Sequence, residues 1–100
     1  MTNEEWYDSK VAPVLMSLGE LCQERGMSFS SFVEYAPGNY GETSCVKAEA
    51  SIAFRMILWA AAAHGNLDSL VIAATKYAQK HGHGSMVLNM LKVPVTPDQP

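Results

Sequence analysis

Two short stretches decide the fold that we predict from this sequence: His64-Gly65-Asn66-Leu67-Asp68 and His81-Gly82-His83-Gly84-Ser85. In each stretch a helical pattern ends at a glycine, and soon afterwards a side chain that can cap a helix N-terminus begins a new one. Short connections of this kind join neighbouring helices in bundles. The sequence therefore predicts an all-α fold, a compact bundle of three main helices plus two short helices.

The apolar spacing on either side of these junctions defines the helices of the second half of the chain. The longest helix is predicted to start at the cap Thr43 or Ser44 and to run to His64. The next helix is expected over residues 67–81. Ser85 then caps a short final helix.

The first half of the chain is predicted to hold one long helix and one short helix. Thr2-Asn3-Glu4-Glu5 has the pattern of a capping box, and the helix that it starts is expected to continue, with a kink, through Pro13 to Gly26. Ser28 can cap a helix of one or two turns that ends before Pro37-Gly38.

These helices are expected to form a single domain over residues 1–92, followed by a proline-rich, flexible tail over residues 93–100. Six large apolar side chains are expected in the core of that domain: Leu18, Phe32, Ile52, Met56, Leu70 and Leu88.

Composition narrows the classes of function. Of the 100 residues 48% are hydrophobic and 17% charged, which is poor in charge for a small domain. Seven basic and ten acidic residues give a net charge of −3, so nucleic-acid binding is not expected. The apolar surplus predicts a protein partner and, in particular, a symmetric homodimer. No apolar window reaches the ~20 residues of a membrane-spanning helix.

The cysteines and the N-terminus indicate a compartment. Cys22 and Cys45 lie in different segments and do not form a Cys-x-x-Cys pair, so we interpret them as free thiols in a reducing environment. The acidic N-terminal residues lack the basic and apolar regions of a signal peptide. The expected location is the cytoplasm.

The second junction is the candidate binding site. Its backbone amides and the Ser85 hydroxyl can point at phosphate or carboxylate, so an anion- or nucleotide-binding regulator is an alternative function, with His81, His83, Gly84 and Ser85 as contacts. The two histidines also resemble a metal pair, but two ligands make only half of a zinc site, and we predict neither a metal nor a cofactor. Because no local signature of a nucleophile with its base is present, we predict that the chain is not an enzyme.

Sequence-specific DNA binding is a second alternative. The turn at Gly65 has the outline of a helix-turn-helix motif. The helix that follows carries Lys76 and Lys80 only near its C-terminal end, whereas a recognition helix reads bases from its N-terminal part.

Three parts of the chain, residues 24–29, 35–38 and 65–88, resemble small accessory proteins of tailed bacteriophages. The resemblance implies that the chain binds a host or defence protein, as anti-CRISPR proteins do. Aromatic side chains are common anchors in such interfaces, and Tyr35, Tyr40 and Trp59 are the candidates for the partner surface. The function that we predict is a non-enzymatic protein-binding module.

Overall fold

The computed structural model describes residues 1–97 and forms two compact units, with the boundary between Arg55 and Met56. Its elements in chain order are α1 (Asn3–Trp6), a π-helical turn (Tyr7–Val11), α2 (Ala12–Glu24), β1 (Phe29–Ala36), β2 (Asn39–Cys45), α3 (Ile52–Ala63), α4 (Leu67–His81) and α5 (Met86–Met90).

The fold is mixed α/β, so the predictions of an all-α fold and a bundle of helices are wrong. β1 and β2 pair antiparallel in a two-stranded sheet. Pro37 and Gly38 form a two-residue connection in which Ala36 lies opposite Asn39, and Gly38 has a φ of 77°, which glycine adopts without steric cost. The segment predicted as a short helix after Ser28 is therefore a strand.

The second strand also changes the start of the predicted longest helix. Residues 43–45 belong to β2, and α3 begins only at Ile52. The hydroxyl of Ser51 accepts a hydrogen bond from the amide of Phe54 at 3.2 Å, so Ser51, rather than Thr43 or Ser44, caps the helix. The predicted helix is therefore correct from Ile52 onward, but its predicted start lies too far toward the N-terminus.

The N-terminal helix is continuous across Pro13, as predicted, but contains a π-helical turn. Thr2 is confirmed as the N-cap, because its hydroxyl oxygen accepts a hydrogen bond from the amide of Glu5 at 3.1 Å. Pro13 has no N–H, and its ring excludes the carbonyl of Ser9 from a normal helical turn. The wider π-helical turn, in which the amide of Ala12 bonds to the carbonyl of Tyr7, accommodates the proline.

In the first unit α1, the π-helical turn and α2 cover one face of the hairpin, which we call the inner face. Phe29 and Tyr35 point to this face, and a β-carbon at the buried Gly19 of α2 would lie 3.5 Å from the ring of Phe29. The buried ring of Tyr7 packs on Gly41 and lies 5.5 Å from the ring of Tyr35, centroid to centroid. Alternate residues point to the opposite, outer face: Ser30, Phe32, Glu34, Tyr40, Glu42 and Ser44.

In the second unit the helix ends follow the sequence prediction closely. α4 spans Leu67–His81, and the side chain of Asn66 accepts a hydrogen bond from the amide of Ser69 at 3.1 Å. α4 ends at Gly82, whose φ of 80° favours glycine. Ser85 caps α5 by accepting a hydrogen bond from the amide of Leu88 at 3.2 Å.

The predicted core is wrong for four of its six residues. Leu18, Phe32, Ile52 and Met56 are exposed, whereas Leu70 and Leu88 are half-buried. Phe32 is exposed because the register of the hairpin puts it on the outer face. Four hydrophobic residues are buried among those that the structure describes: Tyr7, Ala61, Ala78 and Val93.

The segment predicted as a flexible tail begins at one of these buried residues. Val93 donates its amide hydrogen bond to the carbonyl of Leu88 at 2.9 Å, and the carbonyl of Val95 accepts one from the amide of His83 at 3.1 Å. The last three residues of the predicted tail lie outside the described part of the chain.

Within residues 1–97 we find no helix with both the length and the apolar character that crossing a bilayer requires.

Candidate protein-binding surfaces

The ring of His83 holds the α4–α5 junction together. Its Nδ1 accepts a hydrogen bond from the amide of Ser85 at 3.0 Å, and its Nε2 lies 2.9 Å from the carbonyl oxygen of Val93. Because an amide only donates and a carbonyl only accepts, the network assigns the ring proton to Nε2. One imidazole therefore connects the start of α5 to the segment that follows it.

These bonds engage two of the backbone amides that an anion would need. The amides of His83 and Ser85 donate to Val95 and to the imidazole, and the Ser85 hydroxyl caps α5. An anion cradle requires backbone amides that point freely at the ligand. Anion binding at this junction stays a prediction, and the geometry adds no support to it.

His81 and His83 lie close in sequence but have different neighbours. His81 is exposed, and its ring lies 4.3 Å from that of Tyr77, centroid to centroid. Within the described residues no three His, Cys, Asp or Glu side chains are grouped so that they could hold a metal ion.

The three aromatic residues proposed for a partner surface are placed in three different environments. Tyr35 is half-buried on the inner face of the hairpin, whereas Tyr40 lies on the outer face and stacks on Phe32 with centroids 4.7 Å apart. In the second unit, Trp59 packs on Tyr77 at 5.3 Å. Tyr35 and Tyr40 therefore cannot belong to the same contact surface.

Tyr35 also lies in an acidic environment. Its backbone carbonyl accepts a hydrogen bond from the side-chain amide of Asn3 at 2.9 Å, which ties α1 to the hairpin. Burial of the phenol, followed by the negative charges of Glu4 and Asp8 and by Tyr7, raises the pKa of Tyr35 above its usual value of 10.0.

Two surfaces in the first unit were not predicted from the sequence. One is an apolar stripe on α2 that consists of Val14, Leu18 and Leu21, which are 58%, 44% and 58% exposed. Their spacing of four and three residues places them on one side of the helix. The hairpin covers the neighbouring side of α2, where Gly19 is buried, and leaves this α2 stripe open. Of these three residues, Leu18 was predicted to lie in the core.

The second missed surface is the outer face of the hairpin. Phe32 lies opposite Glu42 across the strands, and Tyr40 lies opposite Glu34. The two rings stack along one diagonal of this group, and the two carboxylates occupy the other diagonal. The Pro37-Gly38 turn between segments rich in aromatic and β-branched residues was the sequence signal that could have revealed this hairpin.

The chain matches no protein-family model, no curated protein and no solved structure.

Proposed function

We propose that this chain is a non-enzymatic protein-binding module that forms a homodimer through the α2 stripe. The observation that carries the proposal is the exposure of Val14, Leu18 and Leu21 on one side of a helix whose neighbouring side is already covered. A contiguous row of large apolar side chains on the surface of a protein is typical of a site that binds another protein.

The energy available from the stripe indicates a weak dimer. Removing the remaining exposed half of each side chain from water contributes roughly 1 kcal/mol. A symmetric dimer buries the three side chains of both protomers, which makes six contributions. This gain of roughly 6 kcal/mol lies near the lower end of the ~4–15 kcal/mol that association costs. The α2 stripe alone therefore leaves a net gain of at most roughly 2 kcal/mol, whereas self-association in the micromolar to millimolar range needs about 4–8 kcal/mol, so the proposed interface must also bury apolar groups beside the stripe.

Sedimentation equilibrium of the full chain between about 5 and 500 µM tests the proposal. Leu18→Glu and Leu21→Glu place a carboxylate in the proposed interface and should weaken dimerisation at least about tenfold, because an unpaired charge would be desolvated. Met16→Glu is the matched control, since Met16 is 58% exposed on a different side of the same helix. It should change the dimerisation constant by less than about threefold, as expected for a residue outside the contact.

Two results would contradict the proposal. One is a parent chain that stays monomeric over the whole concentration range. The other is an equal loss of dimerisation in Met16→Glu and in the two stripe variants, which would indicate a general effect of added charge.

The proposal extends to location and biological use. Cys22 and Cys45 are free thiols, which supports a reducing compartment such as the cytoplasm. The resemblance to small phage accessory proteins favours a host or defence protein as a second partner. The chain would inhibit this partner by covering part of its surface.

A further inference from the structure

The outer face of the hairpin has an arrangement of side chains that suits a cation. Phe32 and Tyr40 stack with an interplanar angle of 29°, and Phe32 is 42% exposed. Glu34 and Glu42 flank this aromatic pair, and both are exposed. A guanidinium group stacks favourably on aromatic rings and forms paired hydrogen bonds with a carboxylate, so this combination favours arginine over other side chains.

The two carboxylates lack a cationic partner within the part of the chain that the structure describes. Glu34 accepts a hydrogen bond from the amide of Gly38 at 3.5 Å, and Glu42 accepts one from the hydroxyl of Ser44 at 3.2 Å. Residues 29–45 contain no lysine, arginine or histidine. Residues 1–55, the first unit, carry four basic and eight acidic residues, a net charge of −4, so the field around this face also favours a positive ligand.

The spacing of the carboxylates limits the shape of that ligand. Glu34 and Glu42 are diagonal neighbours across the strands, and such pairs lie roughly 7–8 Å apart. In an extended peptide, side chains two residues apart point the same way and lie about 6.8 Å apart. Adjacent residues of an extended peptide point in opposite directions, so two neighbouring arginines do not fit the same pair of carboxylates.

We propose that the outer face binds an extended segment of a partner protein that carries two arginines separated by one residue. Each guanidinium pairs with one of the two carboxylates, and the stacked rings of Phe32 and Tyr40 lie between them. This inference rests on the proposed function as a protein-binding module and names the chemistry of the second partner. The surface lies on the opposite side of the hairpin from α2, so the α2 contact of the proposed dimer does not involve it.

The probe is a fluorescein-labelled peptide of sequence Ser-Arg-Ser-Arg-Ser. Its binding to the full chain is followed by fluorescence anisotropy in about 0.15 M salt. At this ionic strength, interactions between distant solvent-exposed charges are largely screened. The control peptide Ser-Arg-Arg-Ser-Ser has the same composition and charge. We expect it to bind at least about threefold more weakly, because only one of its arginines can face the surface. Equal binding of the two peptides would overturn the proposed geometry.

Variants of the protein locate the binding. Glu34→Gln combined with Glu42→Gln, and separately Phe32→Leu, should each weaken binding of the first peptide at least about fivefold. Glu20→Gln combined with Glu24→Gln removes the same charge from an exposed part of α2 and should change the affinity by less than about twofold. If this control pair weakens binding as much as the hairpin pair, the peptide responds only to net charge and the proposal is wrong.

The experiment separates this inference from the proposed function. Leu18→Glu and Leu21→Glu should weaken self-association at least about tenfold but leave peptide binding unchanged. A parent chain that dimerises but does not distinguish the two peptides contradicts only the inference about arginine. A chain that binds the first peptide but stays monomeric contradicts only the proposed dimer.

Discussion

The ring of Tyr7 occupies the space that a β-carbon of Gly41 would fill. Gly41→Ala should therefore displace the ring from the inner face of the hairpin and destabilise the first unit by about 1–3 kcal/mol, as overpacking of a well-packed site does. Hydrogen exchange of the β1 and β2 amides measures this loss without contributions from the second unit.

Two further variants identify the cause of this effect. Gly84→Ala is the control, because a β-carbon at position 84 would meet nothing within 4 Å, and it should leave stability nearly unchanged. Tyr7→Leu combined with Gly41→Ala should cost less than the sum of the single changes, since both act on one contact. If the destabilisations of the two single variants are fully additive in the double variant, the side chain at position 41 does not contact Tyr7.

The stability of the first unit should fall at alkaline pH through Tyr35. Its pKa is higher in the folded chain than the value of 10.0 expected after unfolding, so the folded state retains the proton more strongly. The contribution is complete below that value and is lost as the pH rises through the folded pKa. Tyr35→Phe should flatten this part of the pH profile, measured as unfolding at pH values from about 9 to 11. A parent and a variant with parallel profiles would contradict the prediction.

His83→Ala should loosen the segment that follows α5. The change removes the hydrogen bonds to the Ser85 amide and the Val93 carbonyl, at about 0.5–1.5 kcal/mol each. The amide of Val93 should then exchange faster, as NMR-detected hydrogen exchange would show. His81→Ala is the matched control, because the ring of His81 contacts Tyr77 instead. If the two variants exchange alike, the imidazole of His83 does not hold this segment.

Asn66→Ala should lower the stability of α4 by about 1 kcal/mol, because the amide of Ser69 loses its acceptor. Asn66→Asp retains an acceptor and adds a negative charge at the helix N-terminus, so it should be neutral or slightly stabilising. Thermal unfolding followed through the fluorescence of Trp59, with Trp6 replaced by Phe, reports on the second unit. An alanine variant as stable as the parent would contradict the assigned cap.

Three of the helix starts were predictable from sequence because a cap depends on residues three positions apart. Thr2, Asn66 and Ser85 each bond to the amide of the third residue along, as their types and positions predicted. The hairpin was not predictable from sequence, because Phe29, Phe32 and Val33 fit a helical face as well as a strand. What decides between them is the pairing of β1 with residues 39–45, together with the aromatic packing of Tyr7 on the inner face.

The candidate surfaces show the same limit. The sequence located the junction at Gly82–Ser85, but it could not show that His83 bonds to Val93, ten residues away. The outer face of the hairpin was not predicted as a surface, because Phe32 was predicted to lie in the core. Glu34 and Glu42 become neighbours only once the strands pair.

Each strand of the hairpin has a single neighbour, so the sheet described here has two open edges. Open edges can recruit further strands, and repeated recruitment produces fibrils. In an edge-to-edge stack of copies each hairpin contributes two strands, so Glu34 and Glu42 would each meet an identical carboxylate every second strand, roughly 9.6 Å apart, a distance at which like charges still repel. The same two glutamates that make the outer face attractive to arginine thus oppose the growth of an amyloid-like ribbon. Loss of both charges should shorten the lag time of fibril formation.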